Sequence, residues 1–435
     1  MRSAGEWRGV LAEVERARLC SQPIRLRGLR LHEGTGELVE TDLLVPCKDR
    51  RAAVCPSCSR LYQADAWQLV AAGIRGGKGV CPDVVAHPQL FVTLTAPSFG
   101  PVHRGARPGR PPLPCRPRRT VAMCPHGVAL ACRVRHSGND PAVGEPLCPA
   151  CFDYAGAVLW NAHVPRLWVR TSLEIHRELA RFARLTTAAL RRTCRLSYLK
   201  VVEFQRRGLV HLHLVVRADG AEGPSEPPPS WLGVDALTAA VSSAVARASV
   251  ALPRWSREEL GTTRAAWGRE IDVRTLVADD PADATAIAAY VAKYATKTAD
   301  GTPWLAHPIR TAARLERLEL RPQCIRLVRT AWRLGDVPEL RALNLRAHAH
   351  TLGYTGQFSS KSRRYSTTFG ALRAARVEHF DDGAGSQFDF DGEWHYRGRG
   401  YGDPVAHRVA ESLLEAAPSA RRRFPRPSTP GSTRS

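Results

Sequence analysis

No run of about 18 consecutive apolar residues occurs in this sequence, so a membrane-spanning helix is not expected. The opening MRSAGEWRGVLAEVERARLC carries Glu6 and Glu13 and has no clean apolar centre, which argues against a secretory signal and for the cytoplasm. No internal repeat is visible. The stretch Gly73 to Gly79 (GIRGGKG) is glycine-rich but lacks the G-x-x-x-x-G-K-[ST] spacing, so no ATPase is expected. Acidic residues are in short supply: 41 Asp and Glu stand against 63 Lys and Arg, for a formal net charge of +22. That excess points to a polyanionic partner, since each neutralised phosphate releases counterions. A coding bias toward Arg, Ala and Pro would produce the same excess, so the charge speaks of binding and not of chemistry.

What is present allows a sizeable core. The chain has 435 residues, 44% of them hydrophobic, enough for roughly two or three domains. Residues 1–45 read as a helix followed by short strands. Gln89 to Pro97 (QLFVTLTAP) reads as a buried strand stopped by proline. Residues 104–119 form a Pro/Arg loop, 155–194 show helical spacing, and 219–230 (DGAEGPSEPPPS) form a flexible loop. Residues 235–250 predict an amphipathic helix with Leu237, Val241, Val245 and Ala248 on one face. Another helix starts near Asp280-Pro281, with Asp280 as N-cap, and runs to about Thr298. Residues 306–350 look helical and basic, and the Pro/Ser/Arg-rich end, about 417–435, is expected to be disordered.

Between these lies a hairpin with chemistry on it. Tyr198 to Gln205 forms one strand, Arg206-Arg207-Gly208 the turn, and Leu209 to Arg217 the return strand. His211 and His213 are two apart and so share a face, with Leu212 on the other. The turn brings Glu203 or Gln205 alongside them. Two neutral imidazoles and a carboxylate can hold one divalent ion and leave open positions for a phosphate oxygen. Surface histidines also produce this pattern. On the later helix, Tyr290 and Tyr294 are four apart and stack on one face, with Lys293 and Lys297 beside them and Ile287, Val291 and Ala295 as a packing stripe. Phenol is a weak nucleophile with a reference pKa near about 10, and nearby ammonium groups would favour its ionisation. The pair could equally be core aromatics, although a core stripe should not carry lysines.

Eleven of the twelve cysteines precede Arg195, and clustered thiols in a reducing compartment favour metal over disulfides. No thioredoxin-like context surrounds the two CxxC pairs. Cys124, Cys132, Cys148 and Cys151 make a plausible tetrahedral zinc site. Cys47, Cys55 and Cys58 make a second, completed by Cys115 or else by Cys81 or His87, with Cys115 favoured. Two structural zinc ions are therefore expected. Lys361, Arg363 and Arg364, in KSRRY, suit phosphate and single-strand contacts or a solvated basic face.

Three of these segments together resemble one superfamily. Phe91 to Thr95 resembles the first motif of rolling-circle Rep endonucleases, His211-Leu-His213 their metal-binding HUH motif, and Tyr290 to Lys297 their tyrosine motif. Tyr-x-x-x-Tyr resembles the two-tyrosine initiators of small isometric phages, and Glu203 falls where geminivirus-type Rep proteins carry a carboxylate ligand. TLTAPSFGPVH (93–103), LCPACFDY (147–154), VLWNA (158–162), EFQRRGLVHLH (203–213) and KSRRYSTT (361–368) are similar to actinomycete (Streptomyces-type) initiators of plasmids and integrative elements. The likeness runs over most of residues 47–375. One departure is the stretch of about 118 residues between Thr95 and His213, filled largely by the cysteine-rich insert.

The resemblance implies an α+β fold with a central, mainly antiparallel HUH sheet flanked by helices, a zinc-bearing insertion and a basic helical C-terminal region. It implies Mg²⁺ or Mn²⁺, origin DNA in double- and single-stranded form, and host helicase and polymerase as partners. The implied reaction is strand- and site-specific nicking by tyrosine transesterification, leaving a 5′-phosphotyrosine and a free 3′-OH, followed by rejoining. A transposase or relaxase using the same chemistry, or a non-catalytic zinc-containing DNA-binding regulator, are the rival readings. The expected division is 1–88 with the first zinc knuckle, 89–300 the nickase domain with the insertion at 98–155, 301–380 a basic helical region, and 381–435 a partly disordered basic tail.

Overall fold

The computed structural model describes residues 3–31, 38–52, 54–106, 111, 113–253, 264–276, 281–295, 308–381 and 393–416. It is α+β, with antiparallel sheets and helices. In chain order the helices are α1 (Ala4–Arg16), α2 (Pro56–Arg75), α3 (Tyr154–Phe182), α4 (Thr187–Thr193), α5 (Val234–Arg247), α6 (Pro281–Ala295), α7 (Ala312–Glu316), α8 (Pro322–Gly335), α9 (Phe369–Asp381) and α10 (Pro404–Ala416). The strands are β1 (Ile24–Leu31), β2 (Leu38–Val45), β3 (Gln89–Thr95), β4 (Cys194–Phe204), β5 (Val210–Gly220), β6 (Ser249–Ala251), β7 (Arg264–Ala266), β8 (Ile271–Thr275), β9 (Ser359–Lys361) and β10 (His395–Arg399). Among the described residues no helix is long and apolar enough to cross a membrane.

The chain divides into two compact units that do not follow its linear order. One takes Met1–Leu69, Ala288–Lys297 and Thr367–Arg426, and the other takes chiefly Val70–Ile287 and Thr298–Ser366. In the first unit, α1 opens with a capping box between Ser3 and Glu6, which satisfies two donors left free at a helix start. Val10 and Val14 of α1 bury against Ala406 and Ala410 of α10. Beside them lies an antiparallel sheet in the order β10-β1-β2. The stretch 381–435, expected as a tail, thus contains β10 and α10 within this unit, while 417–435 lies outside the described residues.

The second unit is built on a five-stranded antiparallel sheet, ordered β8-β3-β5-β4-β9. Alternation along β5 decides its two faces. Leu212, Leu214 and Val216 enter the main core with Leu94, Leu159 and Leu167. Each fully buried Leu contributes about 1.5–3 kcal/mol of hydrophobic stabilisation. Helix α3 carries much of that core and packs against α5 and α8. Leu237, Val241 and Val245 of α5 are buried as expected, while Ala248, also buried, lies just past the helix end. The helix expected over 155–194 is two: Arg184 takes a left-handed φ of 54° and Thr186 caps α4.

The opposite face of β5 buries a polar network instead. Arg217 Nε and Nη2 donate to Asp219 at 2.6 and 3.0 Å, and Nη1 donates to the Gly73 carbonyl. Asp219 also takes Ser197 Oγ at 2.6 Å and lies 2.8 Å from His87 Nδ1. Because each member has a partner, the buried charges are tolerated, and they fasten the end of α2 to the sheet.

The turn between β4 and β5 is held from several sides. Asn161 of α3, fully buried, donates to the Gly208 and Leu352 carbonyls at 3.0 and 2.9 Å and accepts from Val210 N at 3.1 Å. Arg207 donates to the Ala96 and Pro97 carbonyls at 2.9 and 3.0 Å. Gly208 has φ +81°, and a Cβ there would run into Leu327, so the turn requires glycine.

Candidate metal centres

The β4–β5 ladder pairs Glu203 with His211, and His213 follows two residues along the same face. The structure brings these three together, with their ligand atoms within 4.8 Å of one another. His213 Nε2 lies 3.1 Å from Glu203 Oε2. From β3, Thr95 Oγ1 sits 3.1 Å from His211 Nε2 and Thr93 Oγ1 sits 3.3 Å from His213 Nδ1, so the neighbouring strand orients both rings. Gln205, the other candidate, approaches His211 Nδ1 at 3.4 Å and is tied to Arg207. Phe91 stacks parallel to His213 with ring centroids 6.0 Å apart. Burial, reinforced by His213, pushes the His211 pKa down to about 4, so at neutral pH this imidazole is in the uncharged form that binds metals.

Three further groups are tetrads of Cys and His: Cys20, Cys47, Cys55 and Cys58; His103, Cys115, Cys132 and His136; Cys124, His126, Cys148 and Cys151. These correct the sequence assignment. Cys47, Cys55 and Cys58 do converge, but the fourth thiol is Cys20, placed by the turn after α1; its Sγ lies 3.7 Å from Cys55 Sγ and 3.6 Å from Cys58 Sγ. Cys115 is absent from that group, Cys81 faces Asp83, and His87 is committed to Asp219. Cys124, Cys148 and Cys151 also converge, but with His126, whose Nδ1 is 3.1 Å from Cys151 Sγ. Cys132 is drawn away because Arg116 and Cys132 exchange backbone hydrogen bonds at 2.7 and 3.1 Å, which sets it beside Cys115.

The donor spacings fit an ion. Around tetrahedral zinc, Zn–S near 2.3 Å and Zn–N near 2.05 Å give S–S edges of about 3.8 Å and N–N edges of about 3.3 Å. Backbone N–H groups also aim at the sulfurs: Cys47 N at Cys20 Sγ, 3.3 Å, and Val128 N at Cys124 Sγ, 3.4 Å. Burial opposes ionisation of Cys124, yet the backbone donors at Val128 and His126 bring its pKa down to about 6.

On α6, Ala284, Ile287, Ala288, Val291 and Ala292 are buried, Tyr290 is half-buried and Lys293 is exposed. Tyr290 and Tyr294 both lie on this helix, four residues apart. Asp280 and Lys297 lie outside the described residues. Tyr290, Lys293 and Tyr294 fall in the first compact unit, and the Glu203, His211, His213 triad in the second.

Arg363 and Arg364 line a cleft of about 400 Å³ together with Arg191, Arg195, His176 and Ser362. Lys361 is turned inward instead, its ammonium 2.8 Å from the Ser366 carbonyl and 3.3 Å from that of Arg363.

No solved structure matches this chain. A replication initiator protein from Streptomyces ambofaciens is 39% identical over 433 residues, covering 93% of this chain and 88% of the relative. Residues 6–415 match the model of the family described as "Replication initiator protein, pSAM2". The chain, with its candidate metal-ligand clusters inside that matched span, belongs to this replication initiator family.

Proposed function

We propose that the protein initiates rolling-circle replication of a plasmid or integrative element by nicking one strand at its origin. The observation that carries this reading is the convergence of Glu203, His211 and His213 on one sheet face. Two imidazoles and a carboxylate leave coordination positions free, as a catalytic site requires. The donor set fits a divalent ion, and Mg²⁺ or Mn²⁺ held there would supply Lewis-acid polarisation of the scissile phosphate.

Tyr294 or Tyr290 is the nucleophile in this reading. Its phenol gives up its proton, the Oη–P bond forms, and the bond from phosphorus to the 3′ oxygen breaks, that oxygen taking up a proton. The 5′ end stays on the tyrosine and the 3′-OH primes a host polymerase behind a host helicase. Lys293 and Lys297 favour the phenolate and the developing charge. Because the phosphotyrosine keeps the bond energy, rejoining needs no ATP. A second tyrosine four residues away allows one to open the strand and the other to close the circle. Arg363 and Arg364 offer guanidinium forks to the DNA backbone. The Cys20 and Cys124 tetrads hold structural zinc.

The test is incubation with Mn²⁺ and a single-stranded origin oligonucleotide, then peptide mapping of the DNA-linked protein. An adduct on Tyr290 or Tyr294 is expected. Absence of any covalent adduct would leave a DNA-binding regulator and overturn the nickase.

A further inference from the structure

We propose that His103, Cys115, Cys132 and His136 form a third zinc site, and that this site braces the turn from which the Glu203, His211, His213 triad hangs. The first half rests on donor geometry. His103 Nδ1 lies 3.2 Å from His136 Nε2, Cys132 Sγ lies 3.5 Å from His136 Nε2, and Cys115 Sγ lies 3.8 Å from His103 Nδ1. These spacings match the edges of about 3.3 to 3.8 Å expected around tetrahedral zinc with nitrogen and sulfur ligands. Cys115 Sγ also takes the Arg104 N–H at 3.1 Å, which supports a thiolate. Behind the ring of His136, Nδ1 meets Asp140 Oδ2 at 2.7 Å, and Asp140 is itself fixed by Ala142 N at 2.8 Å. A carboxylate on the far nitrogen of a ligating imidazole fixes its tautomer and raises its basicity. Cys₂His₂ with that support and no open position has the composition of a closed, structural site.

The second half follows the chain outward from Asp140. Arg206, in the turn between β4 and β5, donates to the Gly138 and Asp140 carbonyls at 2.6 and 3.2 Å. Gly144, with φ +91°, lies so close to Arg206 that a Cβ would run into its backbone. Arg321 ties the two together from behind, donating to the Val143 carbonyl at 3.0 Å and to that of Arg206. Gln323 does the same, its N–H on Glu145 and its side chain on the Arg207 carbonyl, both at 3.2 Å. The loop from His136 to Glu145 therefore sits directly on the turn, and the turn separates Glu203 from His211. The β4–β5 ladder sets the register of both, and an ion that fixes His136 steadies the turn that joins them.

The zinc half stands alone, and the brace half rests on the reading that the triad binds Mg²⁺ or Mn²⁺. Elemental analysis of the full chain under reducing conditions should find three zinc ions, and the C115S/C132S double variant two. Two ions in the parent protein, unchanged in that variant, would overturn the third site. His136→Cys keeps four ligands: it should retain three ions and, after Co²⁺ exchange, give a stronger thiolate-to-metal charge-transfer band. For the brace, Mn²⁺ affinity read by electron paramagnetic resonance should fall about tenfold in C115S/C132S, a loss typical of disturbed outer-shell support. Arg206→Ala should keep three zinc ions and lose Mn²⁺ affinity to a similar degree. Unchanged Mn²⁺ affinity in both variants would overturn the brace. A parent protein that binds no Mn²⁺ would sink the triad reading and the brace with it, while the zinc count still decides the third site.

Discussion

Glu203, His211 and His213 hang from a ladder that is complete without them: β4 and β5 pair continuously from Cys194–Gly220 to Phe204–Val210, and β3 joins β5 from Gln89–Arg217 to Thr95–His211. The stretch between Pro101 and Cys151 has isolated bridges instead, such as Gly105 with His136 and Arg116 with Cys132. Several of its apolar side chains face outward: Leu113 is 74% exposed, Met123 60% and Val134 57%. Among the described residues of this stretch, those buried are Cys115, Cys124, His136, Gly144, Pro146 and Cys148, so most of what it buries is candidate ligand. One region positions its ligands by backbone pairing and hydrophobic burial, and would hold their register with no ion in the triad. The other has little core apart from its ligands, so metal and fold are there a single question.

The largest expected effect tests that contrast directly. Stripping zinc with a strong chelator should expose the chain between His103 and Leu147 to proteolysis, because a structural zinc contributes an apparent binding energy of about 10–16 kcal/mol. The 194–220 hairpin should stay protected. Equal cleavage of both regions would remove the distinction. Next comes H211A/H213A: origin nicking should fall by about a thousandfold, a loss of about 4 kcal/mol in the barrier, with thermal stability nearly unchanged. An unfolded double variant would show that the ladder depends on its ligands after all. Asn161→Ala should cost about 3 kcal/mol, because it leaves the Gly208 and Leu352 carbonyls and Val210 N–H without their buried partner. A cost under about 1 kcal/mol in urea unfolding would shift the support of the turn to Arg207.

The smallest effect concerns the ladder's tolerance of charge. Lys200 on β4 is 5% exposed, and burial lowers its pKa from 10.5 to about 8. Between those values the native state binds fewer protons than the unfolded chain, so this residue makes stability rise with pH from 8 to 10.5. Below pH 8 it imposes a constant cost of up to about 3 kcal/mol. Lys200→Met should therefore raise the melting temperature at pH 7, with the advantage fading by pH 10.5. A gain that is the same at both ends of the window would point to packing and not to charge.

The same contrast explains what could be read from the sequence. Period-two alternation predicts which of His211, Leu212 and His213 face together, and a short turn predicts Glu203 or Gln205 as their neighbour; β3 and the buried faces of α5 and α6 follow from the same kind of pattern. The strand end moves only from Gln205 to Phe204, because Gln205 N turns to the Leu209 carbonyl. The candidate ligands in the Cys and His tetrads follow no period. CxxC shows that Cys55 belongs with Cys58 and Cys148 with Cys151, but the remaining ligands depend on how a loop doubles back. Cys20 arrives from the end of α1, and Cys132 goes to Cys115 through one bridge at Arg116. His126 and His136 do carry a signal in the sequence: Cys124-Pro-His126 and Cys132-x-x-x-His136 are ligand spacings that mix thiol and imidazole. Tyr290 and Tyr294 are legible as a pair on one helix face, whereas their chemistry waits on the adduct experiment.

The hairpin also makes the proposed metal site a matter of parity. Side chains on β5 alternate strictly, and Gly208 fits its place in the turn because nothing larger does. One extra residue inserted after Gly208 with the ladder held would turn Leu212 toward Glu203 and drive both imidazoles into the core, without changing the identity of any residue. Two extra residues would restore the facing but carry the histidines past the carboxylate. The count of residues from Glu203 to His211 is thus as much a part of the proposed site as the ligands themselves.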